Sequence, residues 1–167
     1  FNELDDVIGG WQNSELIVLA ARPGMGKTAL AVKFLSEAAK AKKSVAIFQL
    51  EMQDVQFAKR IVANEAVGLH ANQLYKHGIK DEKQFEHLQK TIDGLAGLNI
   101  HIIPKSGMTV FECRMEARKL KRSKAGLDFV IVDYIQLMSG GLKGGGNREQ
   151  EISQVSRELK KLANELD

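Results

Sequence analysis

One eight-residue segment constrains the fold of this chain more than any other. It reads Ala-Arg-Pro-Gly-Met-Gly-Lys-Thr (residues 21–28), follows the apolar run Leu16–Ala20 and precedes the helix-forming sequence Ala29–Leu35. The order strand, glycine-containing turn, Lys-Thr and helix is typical of a phosphate-binding loop in an α/β protein. We therefore predict that residues 15–20 form a buried strand and that a helix runs from about Gly26 to Ala41.

The residue types of this loop suit an anion. Gly24 and Gly26 allow the backbone to turn several N–H groups toward one point and leave room there for a phosphate. Lys27 supplies a mobile charge for the β- and γ-phosphates, and the Thr28 hydroxyl is a ligand for Mg²⁺. The usual pattern begins with glycine where this chain has Ala21, which fits if its φ is negative. The predicted nucleotide-contacting residues are Ala21, Arg22, Pro23, Gly24, Met25, Gly26, Lys27, Thr28 and Ala29.

Composition narrows the class of protein. The 167 residues are 44% hydrophobic and 27% charged, which suits a single globular domain with its own core. Apolar runs reach only about six residues, too short for a membrane-spanning helix. The one cysteine, Cys113, cannot form an internal disulfide, and this fits a reducing cytoplasm. The formal net charge of +3 permits an anionic partner without requiring one.

Strands and helices alternate along the rest of the chain. Further strands are predicted at Ser44–Leu50, Asn99–Ile103 and Leu127–Asp133. Further helices are predicted at residues 54–66, 71–76, 81–95, 109–124 and 148–166. A capping box formed by Thr109 and Glu112 opens the fourth of these helices, and Trp11 is interpreted as a core residue rather than a ring stacked on a base. The alternation indicates an α/β fold of three layers, with helices on both faces of a mostly parallel sheet.

Two carboxylates complete the predicted site. Ligands of open parallel sheets bind at the carboxyl ends of strands, where Glu51 and Asp133 both fall. Asp133 ends an apolar strand, as does the Walker B aspartate that holds Mg²⁺ directly or through water. Glu51 is placed to orient the water that attacks a γ-phosphate and to accept its proton. Considered alone, Asp133 could be a structural carboxylate in a turn after a strand, and Glu51 a carboxylate that stabilises a helix N-terminus. Together with the phosphate-binding loop, the two residues predict nucleotide hydrolysis.

Four segments of the chain resemble the DnaB-type replicative DNA helicases. They are residues 21–28, Ala-Ile-Phe-Gln-Leu-Glu-Met (46–52), Val-Ile-Val-Asp-Tyr-Ile-Gln-Leu (130–137) and Asn-Arg-Glu-Gln-Glu-Ile-Ser-Gln-Val-Ser-Arg-Glu-Leu-Lys (147–160). They occur in order, at the expected spacing, across nearly the whole chain. The family often has serine where this chain has Gly24, a change that the loop should accept.

The resemblance implies a RecA-like P-loop NTPase fold and an ATP-driven motor. In that family six identical subunits form a ring around single-stranded DNA, bind ATP with Mg²⁺ between subunits, and unwind forked DNA during replication. Carried over by residue, Lys27 and Glu51 are catalytic, Thr28 and Asp133 serve Mg²⁺, and Gln136 links the site to the DNA side. The residues implied to contact DNA are Lys143, Gly144, Gly145, Gly146 and Arg148. The glycine-rich loop among them is equally typical of a disordered surface linker.

The resemblance further implies that residues 1–167 are a partial domain of a longer protein. In the family, a later strand lies between the loop strand and the Walker B strand, and the basic residues that reach a neighbour's ATP site come later still. We therefore expect a gap in the central sheet and strand edges open to pairing. Hydrolysis by this chain alone should be weak, because an arginine supplied in trans can raise the rate by several orders of magnitude. Primase and a helicase loader are the implied further partners, in a bacterial or phage-like cytoplasm at the nucleoid.

Three alternatives fit parts of the sequence. Another RecA-like ATPase, such as a recombinase or a clock-type ATPase, accounts equally well for Glu51 and Asp133. A P-loop kinase accounts for the loop, but that class lacks a strand-end glutamate at this position. A non-enzymatic DNA-binding or assembly module would bind DNA without depending on Lys27.

The basic residues of the helix at 109–124 are interpreted as a solvated face rather than a nucleic-acid patch.

Overall fold

A computed structural model of the chain describes residues 2–22, 24–51, 54–66, 68, 78–79, 81–138 and 147–167. The described helices are α1 (Asn2–Ile8), α2 (Lys27–Lys40), α3 (Asp54–Glu65), α4 (Glu82–Ala96), α5 (Val110–Lys121) and α6 (Arg148–Leu166), with a 3₁₀ turn at Ile135–Leu137. The strands are β1 (Val45–Gln49), β2 (Ile100–Pro104) and β3 (Phe129–Asp133). The predicted helix at residues 71–76 lies outside the described residues. Each helix in the described part of the chain is too short or too polar to span a lipid bilayer.

The three strands form one parallel sheet in the order β2-β1-β3. All five residues of the central strand β1 are buried. Its last residue, Gln49, pairs with Pro104 of β2 on one side and with Asp133 of β3 on the other. Because the strands are parallel, their carboxyl ends meet at one edge of the sheet, where a ligand site is expected. The predicted α/β fold with a mostly parallel sheet is confirmed.

Helices cover both faces of this sheet. Ala46 and Phe48 of β1 belong to a core that includes residues of α5 and α6. Val45 and Ile47 face the opposite way, into a core that includes residues of α2 and α3. The central strand anchors both cores because it supplies side chains to each of them. Full burial of a side chain as large as Phe48 stabilises the fold by about 1.5–3 kcal/mol. This is the three-layer arrangement that the sequence predicted.

The prediction of a strand at residues 15–20 is wrong. This segment has no strand assignment and no sheet partner among the described residues, and the side chains of Leu16 to Leu19 are 37–67% exposed. A strand exists only where a neighbouring strand supplies hydrogen bonds, and the apolar run carries no information about that neighbour. In the described part of the chain β3 pairs only with β1, which leaves its other edge without a strand.

Trp11 packs between α2 and the sheet. Its ring centroid lies 4.8 Å from that of Phe34 in an edge-on arrangement and 4.9 Å from that of Phe129. Such ring pairs stabilise a fold beyond the burial of area alone. The position of Trp11 agrees with its interpretation as a packing residue.

α5 begins with the predicted capping box. The Thr109 hydroxyl accepts a hydrogen bond from the Glu112 N–H at 3.2 Å, and the Glu112 carboxylate accepts one from the Thr109 N–H at 2.9 Å. The Lys105 ammonium donates a hydrogen bond to the same carboxylate at 2.7 Å. This bond is the largest of the effects that lower the pKa of Glu112 to about 2. The box fixes the start of the helix that follows β2.

Part of the basic face of α5 joins this helix to α6. Arg114 forms an ion pair with Glu158 at 3.0 Å, and Arg118 forms one with Glu165. Partly exposed pairs of this kind contribute little each, about 0–1 kcal/mol, but they fix which sides of the two helices meet. At these two positions the arginines have a structural role.

Candidate nucleotide site

The glycine loop leads directly into α2. Gly24 and Gly26 have φ angles of 79° and 87°, in the left-handed region that side chains disfavour. Gly26 is the N-cap of α2, which begins at Lys27, so the unpaired N–H groups of the first helical turn face the loop. The Met25 N–H donates to the Arg22 carbonyl at 3.2 Å and tightens the turn. Pro23 lies outside the described residues.

Lys27 and Thr28 meet at Asp133, which lies 105 positions beyond Thr28 in the sequence. The Thr28 hydroxyl donates to Asp133 Oδ2 at 2.8 Å, and Lys27 Nζ lies 3.4 Å from Asp133 Oδ1. The Asp133 side chain is 3% exposed. Burying a carboxylate costs free energy unless hydrogen bonds and an opposite charge compensate, and these two residues supply both. The structure therefore brings three of the sequence-predicted site residues into contact.

Tyr134 is a further partner of Lys27 that the sequence did not predict. Lys27 Nζ lies 4.0 Å from the centroid of the Tyr134 ring, well within the range of a cation–π interaction. The ammonium group is thus held between a ring and a carboxylate. The only signal in the sequence was an aromatic residue directly after the acid that ends β3.

Glu51 lies at the same edge of the sheet and is exposed to solvent. The Leu50 N–H donates to the Asp133 carbonyl at 3.0 Å, which continues the pairing of β1 with β3 one residue beyond the strand. The Glu51 N–H donates to Gln49 Oε1 at 3.4 Å. The next residue after this pairing, Glu51, is therefore an exposed carboxylate at the sheet edge where Asp133 ends β3. A proton acceptor for a solvent water needs this accessibility.

The predicted DNA-side residues lie beyond β3. Gln136 is in the 3₁₀ turn that begins at Ile135, and Arg148 begins α6. The Arg148 guanidinium donates to the Gln136 carbonyl and pairs with the Glu151 carboxylate. The start of α6 is thereby tied to the turn that follows Asp133. The other predicted DNA contacts, Lys143, Gly144, Gly145 and Gly146, lie outside the described residues.

The residues present fit a nucleotide bound with a divalent cation. Hydroxyl and carboxylate oxygens, as on Thr28 and Asp133, are the ligands that Mg²⁺ prefers, and Lys27 with a helix N-terminus suits phosphate. Within the described ranges no cluster of three or more His, Cys, Asp or Glu side chains could hold a metal ion by itself. Phosphate oxygens and water would complete the coordination, as is usual for Mg²⁺ at nucleotide sites.

A parallel sheet, a glycine loop at a helix N-terminus and a buried strand-end acid define a P-loop nucleotide-binding domain. The sequence profile of the DnaB-like helicase C-terminal domain matches residues 1–167, and the chain belongs to this family. The family membership inferred from the sequence is confirmed.

Relatives of known sequence agree with this assignment. The chain is 39% identical to replicative DNA helicase DnaC of Bacillus subtilis (strain 168), covering 99% of the chain and 36% of the relative. It is 37% identical to replicative DNA helicase DnaB of Geobacillus stearothermophilus, again covering 36% of the relative. The chain thus spans little more than a third of the length of these two relatives.

Two solved structures share the fold across the whole chain, each with a TM-score of 0.92 and 32% identity. One is a DnaB-like replicative helicase described with its interactions with primase, of which the chain covers 40%. The other is a solved ATPase domain, of which the chain covers 59%. The fold is therefore that of a DnaB-like helicase ATPase domain, as the sequence predicted.

Proposed function

We propose that this chain is the core of the ATP-hydrolysing motor of a replicative DNA helicase. The observation that carries the proposal is the convergence of Lys27 and Thr28 on the buried Asp133, with Glu51 at the same sheet edge. Membership of the DnaB-like helicase family favours this motor over a recombinase, a clock-type ATPase or a P-loop kinase. The same membership weighs against a purely non-enzymatic DNA-binding module.

The proposed mechanism assigns a role to each residue at the edge. The loop N–H groups and Lys27 bind the β- and γ-phosphates, so Lys27 exchanges its contact with Asp133 for one with phosphate. Thr28 and Asp133 would hold Mg²⁺, which would supply charge neutralisation on the phosphate oxygens. Glu51 accepts the proton of a water whose oxygen bonds to the γ-phosphorus, while the bond from that phosphorus to the ADP oxygen breaks.

The longer protein is proposed to work as a homo-hexamer around single-stranded DNA at forked substrates. One solved relative is described with its interactions with primase, which supports primase as a partner here; a helicase loader is proposed from the family resemblance. The proposed DNA contacts are Lys143, Gly144, Gly145, Gly146 and Arg148. Contacts of this kind are made to the phosphates of the DNA backbone. Binding should therefore weaken as the salt concentration rises and depend little on the base sequence. The bacterial relatives favour a cytoplasmic protein of DNA replication.

ATP hydrolysis by the natural-length protein tests the proposal, measured with and without single-stranded DNA. Glu51→Gln should bind a fluorescent ATP analogue as the wild type does, yet lower kcat by about 100-fold or more, because it removes the proton acceptor. Lys27→Ala should lose most nucleotide binding. Glu86→Gln, an exposed change on α4, is the matched control and should leave kcat unchanged. A wild-type protein that consumes no ATP would overturn the proposal, and a fully active Glu51→Gln would overturn the role of Glu51.

A further inference from the structure

Gln49, the last residue of β1, is a buried amide next to the candidate site. Its side chain is fully buried, and it pairs in register with Asp133. Side chains alternate along a strand, so Gln49 shares the sheet face of Ile47, which packs toward α2. Asp133 is on this face as well, because it contacts Thr28 in the first turn of α2. The Gln49 amide and the Asp133 carboxylate are therefore neighbours on one face of the sheet.

Among the described residues, the Gln49 side-chain amide has a hydrogen-bond partner for its oxygen but none for its nitrogen. Gln49 Oε1 accepts the N–H of Glu51 at 3.4 Å. The oxygen must be the atom that faces Glu51, because the reversed amide would set two donors against each other. The other atom, Nε2, is buried and has no hydrogen-bond partner among the residues that the structure describes. A buried donor without a partner is rare in folded proteins and points to a bound water or ligand.

We propose that Gln49 is a positioning residue for nucleotide hydrolysis, an inference that rests on the proposed function. Its Oε1 holds the backbone at Glu51, and its Nε2 donates to a water at the carboxyl edge of the sheet beside Asp133. A water that accepts this N–H keeps one lone pair for the γ-phosphorus and one O–H for the Glu51 carboxylate. When it attacks, the new oxygen–phosphorus bond replaces the bond to ADP, and the proton passes to Glu51. Gln49 itself gains and loses no atom.

Gln49→Met tests this role in the natural-length protein. Methionine has a similar length and volume, but its side chain has no N–H donor and accepts hydrogen bonds only weakly. The variant removes an unpaired buried donor, which opposes folding, and also the long 3.4 Å hydrogen bond from the Glu51 N–H, which favours it, so the thermal midpoint should change little. The affinity for a fluorescent ATP analogue should stay within about threefold, while kcat falls by about 10- to 100-fold, as expected when a reacting group is misplaced. Lower activity with unchanged or higher stability is a combination that a purely structural role does not produce.

A second variant separates the possible outcomes. Gln89→Met, on the exposed part of α4, is the matched control and should change neither kcat nor the midpoint. An unchanged kcat in Gln49→Met, or a fall in kcat that tracks a lower midpoint, would overturn the inference and leave the proposed function standing. A wild-type protein without ATP hydrolysis would overturn both.

Discussion

At the residue scale, the buried carboxylate of Asp133 makes Thr28 a stability determinant as well as a candidate ligand. Thr28→Val removes the hydroxyl that donates to Asp133 at 2.8 Å while keeping the shape of the side chain. We predict that the free energy of unfolding falls by about 1–3 kcal/mol, because a buried acceptor loses a partner. Urea unfolding measures the change. Thr28→Ser keeps the hydroxyl and should lose clearly less; equal losses in the two variants would show that the hydrogen bond to Asp133 does not stabilise the fold.

Cys113 is predicted to be chemically inert in the folded chain. It is fully buried, and desolvation raises the pKa of its thiol to about 12. Since the thiolate is the reactive form, labelling by an aromatic disulfide reagent at about pH 8 should be very slow in the native state. The same reagent should label the urea-unfolded chain fully. Rapid native labelling would show that the core around α5 opens readily.

The sequence predicted that Lys27, Thr28 and Asp133 lie together, and it gave no sign of two further neighbours, Gln49 and Tyr134. Lys27, Thr28 and Asp133 stand in patterns whose chemistry is specific, so the sequence alone predicts that they meet. Gln49 carries no such pattern, because its importance depends on which strand lies beside β1 and in which register. The same holds for Tyr134, whose contact with Lys27 arises only when α2 and β3 are packed together.

At the element scale, the segment at residues 15–20 is the part of the fold most open to change. Its apolar side chains are exposed, and in the described structure β3 has a free edge. We propose that in a longer protein a further strand fills the space between them. Amides of residues 16–19 should then exchange rapidly in the 167-residue chain and slowly in the natural-length protein, with those of β1 protected in both. Rapid exchange of residues 16–19 in both proteins would contradict this proposal.

The start of α5 gives a pH-dependent contribution to stability. Lys105 and the Thr109 donors lower the pKa of Glu112 from 4.5 to about 2. A carboxyl whose folded pKa is lowered stabilises the fold above its unfolded pKa and loses this effect as the pH falls through the folded value. The stability contributed by Glu112 should therefore be lost between pH 4.5 and about pH 2.

Thermal unfolding across this pH range measures the effect of Glu112. Glu112→Gln should have a lower midpoint than the wild type above pH 4.5, and the difference should disappear near pH 2. Glu86→Gln, on exposed α4, should follow the wild-type profile. A gap between Glu112→Gln and the wild type that stays constant with pH would show that the capping box does not act through this carboxylate.

The alternation of strands and helices was predictable, but the pairing of the strands was not. α6 occupies Arg148–Leu166, as its apolar stripe predicts, because helical hydrogen bonds are made within the segment. Residues 15–20 have the composition of a strand without the partner that would make them one. Local patterns therefore predict helices better than sheets, since a sheet depends on distant parts of the chain.

At the scale of the whole molecule, we propose that this chain is a motor core whose remaining parts lie in a longer protein. It spans little more than a third of the two curated relatives described above, and its family is a helicase family. Ring assembly would bring residues from a neighbouring subunit to the ATP site, and these can raise the hydrolysis rate by several orders of magnitude. The 167-residue chain alone should hydrolyse ATP far more slowly than the natural-length protein, and equal rates per subunit would contradict the account.

We propose that ATP hydrolysis at the Lys27–Thr28–Asp133 site drives strand separation. The direct measurement is unwinding of a forked DNA duplex by the natural-length protein with ATP and Mg²⁺, with Lys27→Ala run in parallel. We predict that the wild type separates the strands and that Lys27→Ala does not, although it should still fold. If the wild type hydrolysed ATP but separated no strands, even with a helicase loader present, the nucleotide site would stand and the assignment as a helicase motor would be wrong.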